Sequence, residues 1–341
     1  MLLIPIGTRP EAIRLYPTVK ALGDKCKVFW TNQNYSKNLS TDILEDPRFE
    51  GVFENRINAE SNYPDHVSRY GALFLNIETI TKELSNEYDK VLVLGDTDSA
   101  LMSVLAAKKL GKKVYHMEAG NRCFDPQSPE EINRKMIDSI SDVHLCYTKF
   151  AKQNLVSEGV PQNKIHVIGN PMAEFPEFFR KNENRGGYVL VTIHRAENEK
   201  YLKRIKKLLM HLQKTREVKL VLHPRYIDEF EEFSPMPSTN FSQFVEMEKG
   251  ASLIITDSGT VCEEAAMLHK PCLIARKTTE RPELMETGGT VLGNMDSLQD
   301  LKDACEYLLG ITPDWKLPTE YEPSKVSQKV TAILQGQGNY V

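Results

Sequence analysis

Short apolar runs alternate with turns and helical patterns along most of this chain, and this alternation constrains the fold more than any other feature. In the first half the apolar runs occupy 2–6, 27–30, 90–94, 113–117, 143–147 and 164–168. After a polar, glycine-containing stretch, further runs occupy 188–193, 218–223, 252–256, 271–275 and 290–292. Strands separated by helices are typical of βαβ units, so the sequence predicts an α/β protein with two doubly wound, mostly parallel sheets.

The chain is long enough for two domains, because 341 residues are about twice a typical domain length. We predict an N-terminal domain over 1–170, a C-terminal domain over 171–322 and a closing helix within 323–341. The closing segment has an amphipathic pattern whose apolar face can pack back on the first domain. Ligands of doubly wound sheets bind beyond the carboxyl ends of the strands, so we expect functional residues directly after strands and a site between the domains.

Composition narrows the classes of function. Hydrophobic residues make up 40% and charged residues 26% of the chain, as in ordinary globular proteins. The formal charge of -4 gives no basic field for a polyanion, so nucleic acid is not an expected partner. The six scattered cysteines form no CxxC pair and no zinc-like cluster, so we expect reduced thiols and no metal site. With no secretion signal and no apolar run of roughly 18 to 20 residues, we expect no membrane association and a cytoplasmic protein.

The first candidate is an anion contact in the turn after the first strand. Arg9 lies in a Gly-Thr-Arg-Pro-Glu turn that opens a helix, where free N–H groups favour a phosphate or carboxylate. A simple cap on a surface loop explains the turn equally well. The chain contains neither GxGxxG nor GxxxxGK[ST], which argues against NAD and against a P-loop nucleotidase, and we predict no cofactor.

Three acids are predicted to gather at one edge of the first sheet. Asp96 follows one strand, Glu118 follows the next, and Glu130 opens the helix after that. Asp96 alone could simply cap the helix that follows, and Glu130 could simply be an acid favoured at a helix N-terminus. Together the three acids repel each other unless some are protonated or paired with Arg122 and Arg134. Such differences in environment give the carboxyl groups different pKa values, and this is how one acid becomes a proton donor and another a base.

Two residues near these acids have a weaker functional signal. Glu131 is interpreted as an acid without a catalytic role, present because a helix N-terminus favours negative charge. His116 lies within the strand that leads to Glu118. A lone histidine is more often a packing residue, and the role of His116 is left open.

Two strands of the second half are followed by histidines with an arginine nearby. His194 precedes Arg195, and His223 is followed by Arg225 after one proline. Such pairs suit contacts to a pyrophosphate or proton transfer to it. The position of His194 at a strand end, rather than its residue type, favours a functional role.

A nucleotide site is predicted further along. A strand runs into Asp-Ser-Gly-Thr and then a helix, so N–H groups and the hydroxyls of Ser258 and Thr260, on either side of Gly259, can face a phosphate. The carboxylate of Glu264, on the same helix, can accept both hydroxyls of a ribose. Arg281 lies in a later polar loop that we expect to point at the same region. These residues together indicate a nucleotide diphosphate.

The order and spacing of these motifs resemble the non-hydrolysing UDP-N-acetylglucosamine 2-epimerases. The matching segments are 7–11, 95–97, 116–120, 129–134, 194–195, 256–259, 263–265 and 279–283. The resemblance covers nearly the whole chain. It implies a GT-B type fold of two Rossmann-like domains with an interdomain cleft and a C-terminal helix crossing back, usually as a homodimer acting on a UDP-sugar.

The resemblance also implies a reaction and a set of site residues. The family inverts carbon 2 by anti elimination of UDP to 2-acetamidoglucal followed by re-addition, and makes precursors of surface polysaccharides. By motif, its catalytic residues correspond to Asp96, Glu118, Glu130 and His194. Its contacts to nucleotide phosphate, ribose and uracil correspond to Arg9, Ser258, Glu264 and Phe244.

One departure from the family pattern concerns the sugar. Many members have Gly-Leu-Arg-Thr after the catalytic Glu, whereas residues 120–125 here read Gly-Asn-Arg-Cys-Phe-Asp. This variant resembles the branch that converts UDP-N-acetyl-6-deoxyhexosamines from talo to fuco. A hydrolysing 2-epimerase and a retaining GT-B glycosyltransferase are further alternatives, although a transferase would not need three acids.

Overall fold

The chain divides into two compact units. The first comprises Met1–Glu174 with Ser324–Val341, and the second comprises Phe175–Pro323. The computed structural model describes residues 1–31, 33, 56–58, 66–179, 186–222, 224–237 and 239–336.

The first unit contains a seven-stranded parallel sheet. Its strands are β1 (Leu2–Ile6), β2 (Cys26–Trp30), β3 (Arg56–Asn58), β4 (Lys90–Leu94), β5 (Lys113–Met117), β6 (Val143–Cys146) and β7 (Ile165–Val167). They lie in the order β3-β2-β1-β4-β5-β6-β7. The chain changes direction across the sheet between β1 and β4, and such a switch point is where doubly wound sheets bind ligands. The sequence predicted all of these strands except β3.

Hydroxyl caps fix the start of several helices in the first unit. These helices are α1 (Arg9–Leu22), α2 (His66–Glu83), α3 (Asp98–Lys109), α4 (Pro129–Ile140) and α5 (Lys149–Ser157). Thr97 and Ser128 accept the N–H of the third residue of α3 and α4, respectively. Because each cap satisfies a helical N–H, the turn that precedes the helix is held in one conformation. Apolar side chains of β4, β5 and α2 to α4 form the core on one face of the sheet.

The second unit contains a five-stranded parallel sheet. Its strands are β8 (Tyr188–Ile193), β9 (Glu217–Leu222), β10 (Ala251–Thr256), β11 (Cys272–Ile274) and β12 (Thr290–Leu292), in the order β12-β11-β10-β8-β9. Its helices are α6 (Leu202–Leu212), α7 (Phe241–Lys249), α8 (Gly259–Met267), α9 (Pro282–Met285) and α10 (Leu298–Gly310). Here the switch point lies between β8 and β10, which brings the residues after these strands together.

A last helix, α11 (Val326–Leu334), contacts α1 of the first unit. Val326 and Val330 are fully buried in this contact face. The backbone N–H and the hydroxyl of Ser327 both donate to Glu174, at 3.0 and 3.1 Å. Across the residues that the structure describes, no helix combines the length and apolar character needed to cross a membrane.

Candidate functional site

The turn after β1 is closed by a buried carboxyl group. Glu11 Oε2 accepts the N–H groups of Gly7 and Thr8 at 2.6 and 2.8 Å, and its Oε1 accepts the hydroxyl of Thr97 at 2.6 Å. Burial raises the pKa of Glu11 to about 7 despite these three hydrogen bonds, and the charge of Asp96 acts in the same direction. The bonds tie the turns after β1 and β4 together, with the half-buried Arg9 as the first residue of α1.

Asp96, directly after β4, is paired with an arginine from α4. Arg134 Nη2 lies 2.5 Å from Asp96 Oδ2, and the aspartate side chain remains 22% exposed. The neighbouring Asn133 donates its side-chain amide to the backbone carbonyl of Asp96 at 2.9 Å. The N-terminal half of α4 therefore fixes both the backbone and the carboxylate of Asp96.

Glu118, directly after β5, has a different arginine. Its Oε2 lies 2.8 Å from Arg14 Nη1, and the side chains are 10% and 3% exposed. Glu118 has a left-handed backbone with φ of 71°, a conformation that is uncommon for non-glycine residues. Gly95 is so close that a Cβ atom there would lie 4.0 Å from Glu118 Oε2. The carboxylate of Glu118 therefore lies next to the residue that precedes Asp96.

One predicted ion pair is wrong and one partner was missed. Arg122 does not form an ion pair with the acids at the strand ends. Its fully buried guanidinium instead contacts Asp138 at 2.8 Å and Glu158 at 2.6 Å. The missed partner of Glu118 is Arg14, which lies 104 residues earlier in the chain. Its one sequence signal is that a charged residue interrupts the buried apolar face of α1.

The two adjacent acids at the start of α4 lie in different environments. Glu130 is half-buried and accepts the hydroxyl of Ser128 at 3.0 Å. Glu131, expected to be only a helix-end acid, is instead buried and accepts the N–H groups of Cys123 and Phe124 at 2.9 and 3.3 Å. That expectation is therefore wrong, because the loop before α4 folds back over its first turn.

In the second unit a buried aspartate holds His194. Asp257, after β10, accepts the backbone N–H groups of His194 and Arg195 and the side-chain amide of Asn198, at 2.8 to 3.1 Å. Its Oδ1 lies 2.8 Å from His194 Nδ1, and the imidazole is 43% exposed. Burial alone would raise the pKa of Asp257, but the charge and hydrogen bond of His194 and the other donors lower it to about 2. The ionised carboxylate accepts a hydrogen bond from Nδ1–H, so Nε2 is the ring nitrogen that can meet a ligand.

The helix after Asp257 begins with the predicted phosphate motif. Ser258 is the N-cap of α8, and its Oγ accepts the N–H of Val261 at 3.4 Å. A side chain at Gly259 would displace Glu280, because a Cβ atom would lie 2.4 Å from a Glu280 oxygen. Thr260 is half-buried in the first turn. The start of α8 thus presents small and hydroxyl-bearing residues at the positive end of a helix, which suits an anion.

The candidate ribose acid is buried beside a second acid. Glu264 on α8 is 3% exposed, and Glu248 on α7 is fully buried. Burial, then the charge of Glu264 and a hydrogen bond to it, raise the pKa of Glu248 well above its ordinary value. Two acids buried side by side favour the protonated form of Glu248 over two adjacent charges.

The remaining predicted substrate-binding residues differ in how deeply they are buried. Arg281 is buried, and its Nε donates to Glu263. Phe244 is half-buried on α7, whereas Arg225 is exposed after β9. His223 lies outside the described residues. Within the described ranges no group of three or more His, Cys, Asp or Glu side chains is placed to hold a metal ion.

The pKa of Asp257 predicts an acid-dependent loss of stability. Because the pKa falls from 3.8 to about 2 on folding, the ionised carboxylate stabilises the fold above about pH 4, and its contribution is lost as the pH falls toward 2. The shift corresponds to about 2 kcal/mol. We expect Asp257→Asn to lower the free energy of unfolding by at least this amount at neutral pH and by progressively less below pH 4, measured by urea denaturation. A pH-independent difference would contradict the assignment.

Comparisons with known proteins identify the family. A family model described as UDP-N-acetylglucosamine 2-epimerase matches residues 19–335. The UDP-N-acetylglucosamine 2-epimerase of Methanocaldococcus jannaschii is 35% identical, covering 97% of this chain and 98% of that protein. The UDP-2,3-diacetamido-2,3-dideoxy-D-glucuronate 2-epimerase of Pseudomonas aeruginosa is 31% identical, covering 84% and 86%.

A solved structure extends the likeness to the fold. The crystal structure of M. jannaschii UDP-GlcNAc 2-epimerase in complex with UDP-GlcNAc and UDP matches with a TM-score of 0.84 and 34% identity, covering 98% of this chain and 99% of that one. The predicted GT-B type fold of two Rossmann-like units is confirmed by this match. The chain belongs to the UDP-N-acetylglucosamine 2-epimerase family of isomerases, as its motifs predict.

Proposed function

We propose that this protein inverts carbon 2 of a UDP-linked N-acetylhexosamine and interconverts UDP-N-acetylglucosamine with UDP-N-acetylmannosamine. The observation that carries the proposal is the pair of carboxylates, Asp96 and Glu118, at neighbouring strand ends, each with its own arginine. A relative at 34% identity was crystallised with UDP-GlcNAc and UDP, which supports the choice of ligand.

The proposed route is anti elimination followed by re-addition. The C2 hydrogen is not next to a carbonyl group, so its removal alone would give an unstabilised carbanion. In the elimination a carboxylate takes this proton, the C1–O bond breaks, and UDP leaves with the electron pair, giving 2-acetamidoglucal. Protonation of C2 on the opposite face, with return of the UDP oxygen to C1, gives the epimer.

The environments of the acids suit proton transfer. An arginine beside a carboxylate favours its ionised form, which is the form that can accept the C2 proton. Inversion also needs a proton donor on the opposite face of the sugar. Of the partly exposed Asp96 and the buried Glu118, one accepts the C2 proton as a carboxylate, and the other enters the cycle protonated and delivers its proton to C2. Glu130 is proposed to complete this set of carboxylates.

The second unit is proposed to hold the leaving group. His194, fixed through Nδ1 by Asp257, presents Nε2 to the β-phosphate and stabilises the charge that develops there. The N-terminus of α8 supports binding of the pyrophosphate, and Glu264 can accept the ribose hydroxyls. The other proposed substrate contacts are Arg9, Arg134, His223, Arg225, Phe244, Ser258, Gly259, Thr260 and Arg281.

One observation favours a related sugar as an alternative substrate. Asn121, where many family members have leucine, is buried and donates its amide to Glu118 Oε1 at 3.3 Å. The departure from the family pattern therefore touches a proposed catalytic group. We keep a UDP-N-acetyl-6-deoxyhexosamine as the alternative substrate, and the Pseudomonas aeruginosa relative is itself named for a different UDP-sugar.

We further propose a cytoplasmic homodimer that supplies precursors of surface polysaccharides. Large apolar side chains are exposed on α2 and α4, which both contact α3. Leu75, Ile132 and Met136 are 62%, 49% and 43% exposed. Apolar groups of this size on neighbouring helices support burial against a second copy. A monomer in sedimentation equilibrium would contradict this state.

Incubation with UDP-N-acetylglucosamine in heavy water, followed by NMR, tests the reaction. We expect deuterium at C2 together with an intact UDP-linked manno product, because the proton removed from C2 exchanges before re-addition. Free sugar plus UDP would instead indicate a hydrolysing enzyme. No exchange with this sugar, but exchange with the 6-deoxy substrate, would transfer the proposal to that substrate.

Matched variants assign the chemistry to the two acids. Asp96→Asn and Glu118→Gln keep the shape of each side chain and remove its proton acceptor, so each should abolish exchange and leave UDP binding largely intact. Glu87→Gln alters an exposed carboxyl group that pairs with Lys27 on the same unit, and it should not affect exchange. Retained turnover in both active-site variants would overturn the assignment.

A further inference from the structure

His116 lies in the middle of the first sheet and makes two short polar contacts there. The residue is part of β5 and its ring is fully buried. Its Nδ1 lies 2.7 Å from Asp138 Oδ1, and its Nε2 lies 2.8 Å from the backbone carbonyl oxygen of Gly95. Buried polar atoms in folded proteins are nearly always hydrogen-bonded, so both contacts have to be satisfied.

Both of these partners can only accept a hydrogen bond. A backbone carbonyl has no proton to give. Asp138 is held as an ionised acceptor by partners other than His116, because its Oδ2 lies 2.8 Å from Arg122 Nη2 and accepts the N–H of Gly120 at 3.0 Å. A neutral imidazole has a single N–H, which would leave one of its nitrogens facing an acceptor. Only the imidazolium, with two N–H groups, satisfies both contacts.

The surrounding charges balance a cation at this position. Asp138 Oδ2 also contacts Arg122, and Arg122 pairs with Glu158 from the end of α5. His144 on β6 donates Nε2–H to the backbone carbonyl of Asp138 at 2.8 Å, and burial lowers the pKa of His144, which keeps it neutral. Two carboxylates thus face two cations, so the network carries no net charge, which limits the cost of burying it.

The network reaches the turns that carry both proposed catalytic acids. The carbonyl bound by His116 belongs to Gly95, the residue before Asp96. On the other side, Asp138 Oδ2 accepts the N–H of Gly120, two residues after Glu118, at 3.0 Å. Both turns have left-handed backbones, with φ of 72° at Gly95 and 80° at Gly120. Glycine adopts this conformation without strain but is flexible, so the hydrogen bonds from His116 and to Asp138 restrict both turns.

We propose that His116 is a positioning residue that stays protonated, an imidazolium whose two N–H groups join the Gly95 turn to Asp138 and so set Asp96 and Glu118 relative to each other. The role of the two acids rests on the proposed function. The charge state of His116 does not, since it follows from the contacts alone.

Nitrogen NMR of the protein labelled only in its eight histidines tests the charge state directly. We expect both ring nitrogens of His116 to carry a proton at neutral pH, with the signal assigned by its loss in His116→Gln. The half-buried His211 on α6 gives an internal reference. An unprotonated ring nitrogen in His116 at neutral pH would overturn the proposal, whether or not the protein is active.

Steady-state kinetics test the positioning role. We expect His116→Ala and Asp138→Asn to lower kcat for C2 exchange by about 100-fold, because a small displacement of catalytic groups has effects of this order. KM should change less than about twofold, because substrate affinity is proposed to come mainly from the second unit, and mispositioning acts on chemistry more than on binding. His116→Gln should recover part of the loss, since its amide can donate to the Gly95 carbonyl.

The control is His166→Gln, which alters a half-buried histidine on β7 of the same sheet and should leave both constants unchanged. Wild-type kcat in His116→Ala, or equal losses in His116→Ala and His116→Gln, would overturn the positioning role. If the wild-type enzyme shows no C2 exchange, the proposed function fails, and the NMR result still decides whether His116 is an imidazolium.

Discussion

Two carboxylates placed at one edge of a parallel sheet repel each other, and much of the first unit is arranged around that repulsion. Asp96 and Glu118 follow adjacent strands, so the sheet itself brings them together. Each is compensated by a separate cation, Arg134 from α4 and Arg14 from α1. A buried pair such as Arg14 with Glu118 contributes little net stability, because desolvating both ions costs about as much as their attraction returns. Its retention is better explained by the need for an ionised carboxylate at this point.

In the second unit an aspartate positions a proposed catalytic residue. At the switch point between β8 and β10, Asp257 gathers the backbone N–H groups that follow β8 and the imidazole of His194. One buried carboxylate therefore fixes both the backbone and the proton position of the proposed catalytic histidine. In each unit an ionised side chain is buried just behind the strand ends: Arg14 in the first unit and Asp257 in the second. Each orients a residue that would meet the substrate.

The sequence predicted those features that depend on local pattern. Apolar runs between helical segments were sufficient for both parallel sheets, and strand-end positions followed from that. β3 escaped prediction because it is three residues long and Ile57 is its only apolar residue. The sequence also did not predict which cation pairs with Glu118, because Arg14 and Glu118 are 104 residues apart and only the folded chain brings them together. Burial of Glu131 rather than Glu130 likewise depends on how the preceding loop folds back, which no spacing rule describes.

Positional isotope exchange tests whether UDP leaves the sugar during inversion. The oxygen that bridges C1 and the β-phosphate of UDP-N-acetylglucosamine is labelled with ¹⁸O, and the label is followed by phosphorus NMR as the manno product forms. We expect the label to move from the bridge to the non-bridging β-phosphate positions, because the freed phosphate can rotate before it returns to C1. Inversion with all of the label still in the bridge would contradict departure of UDP from the sugar.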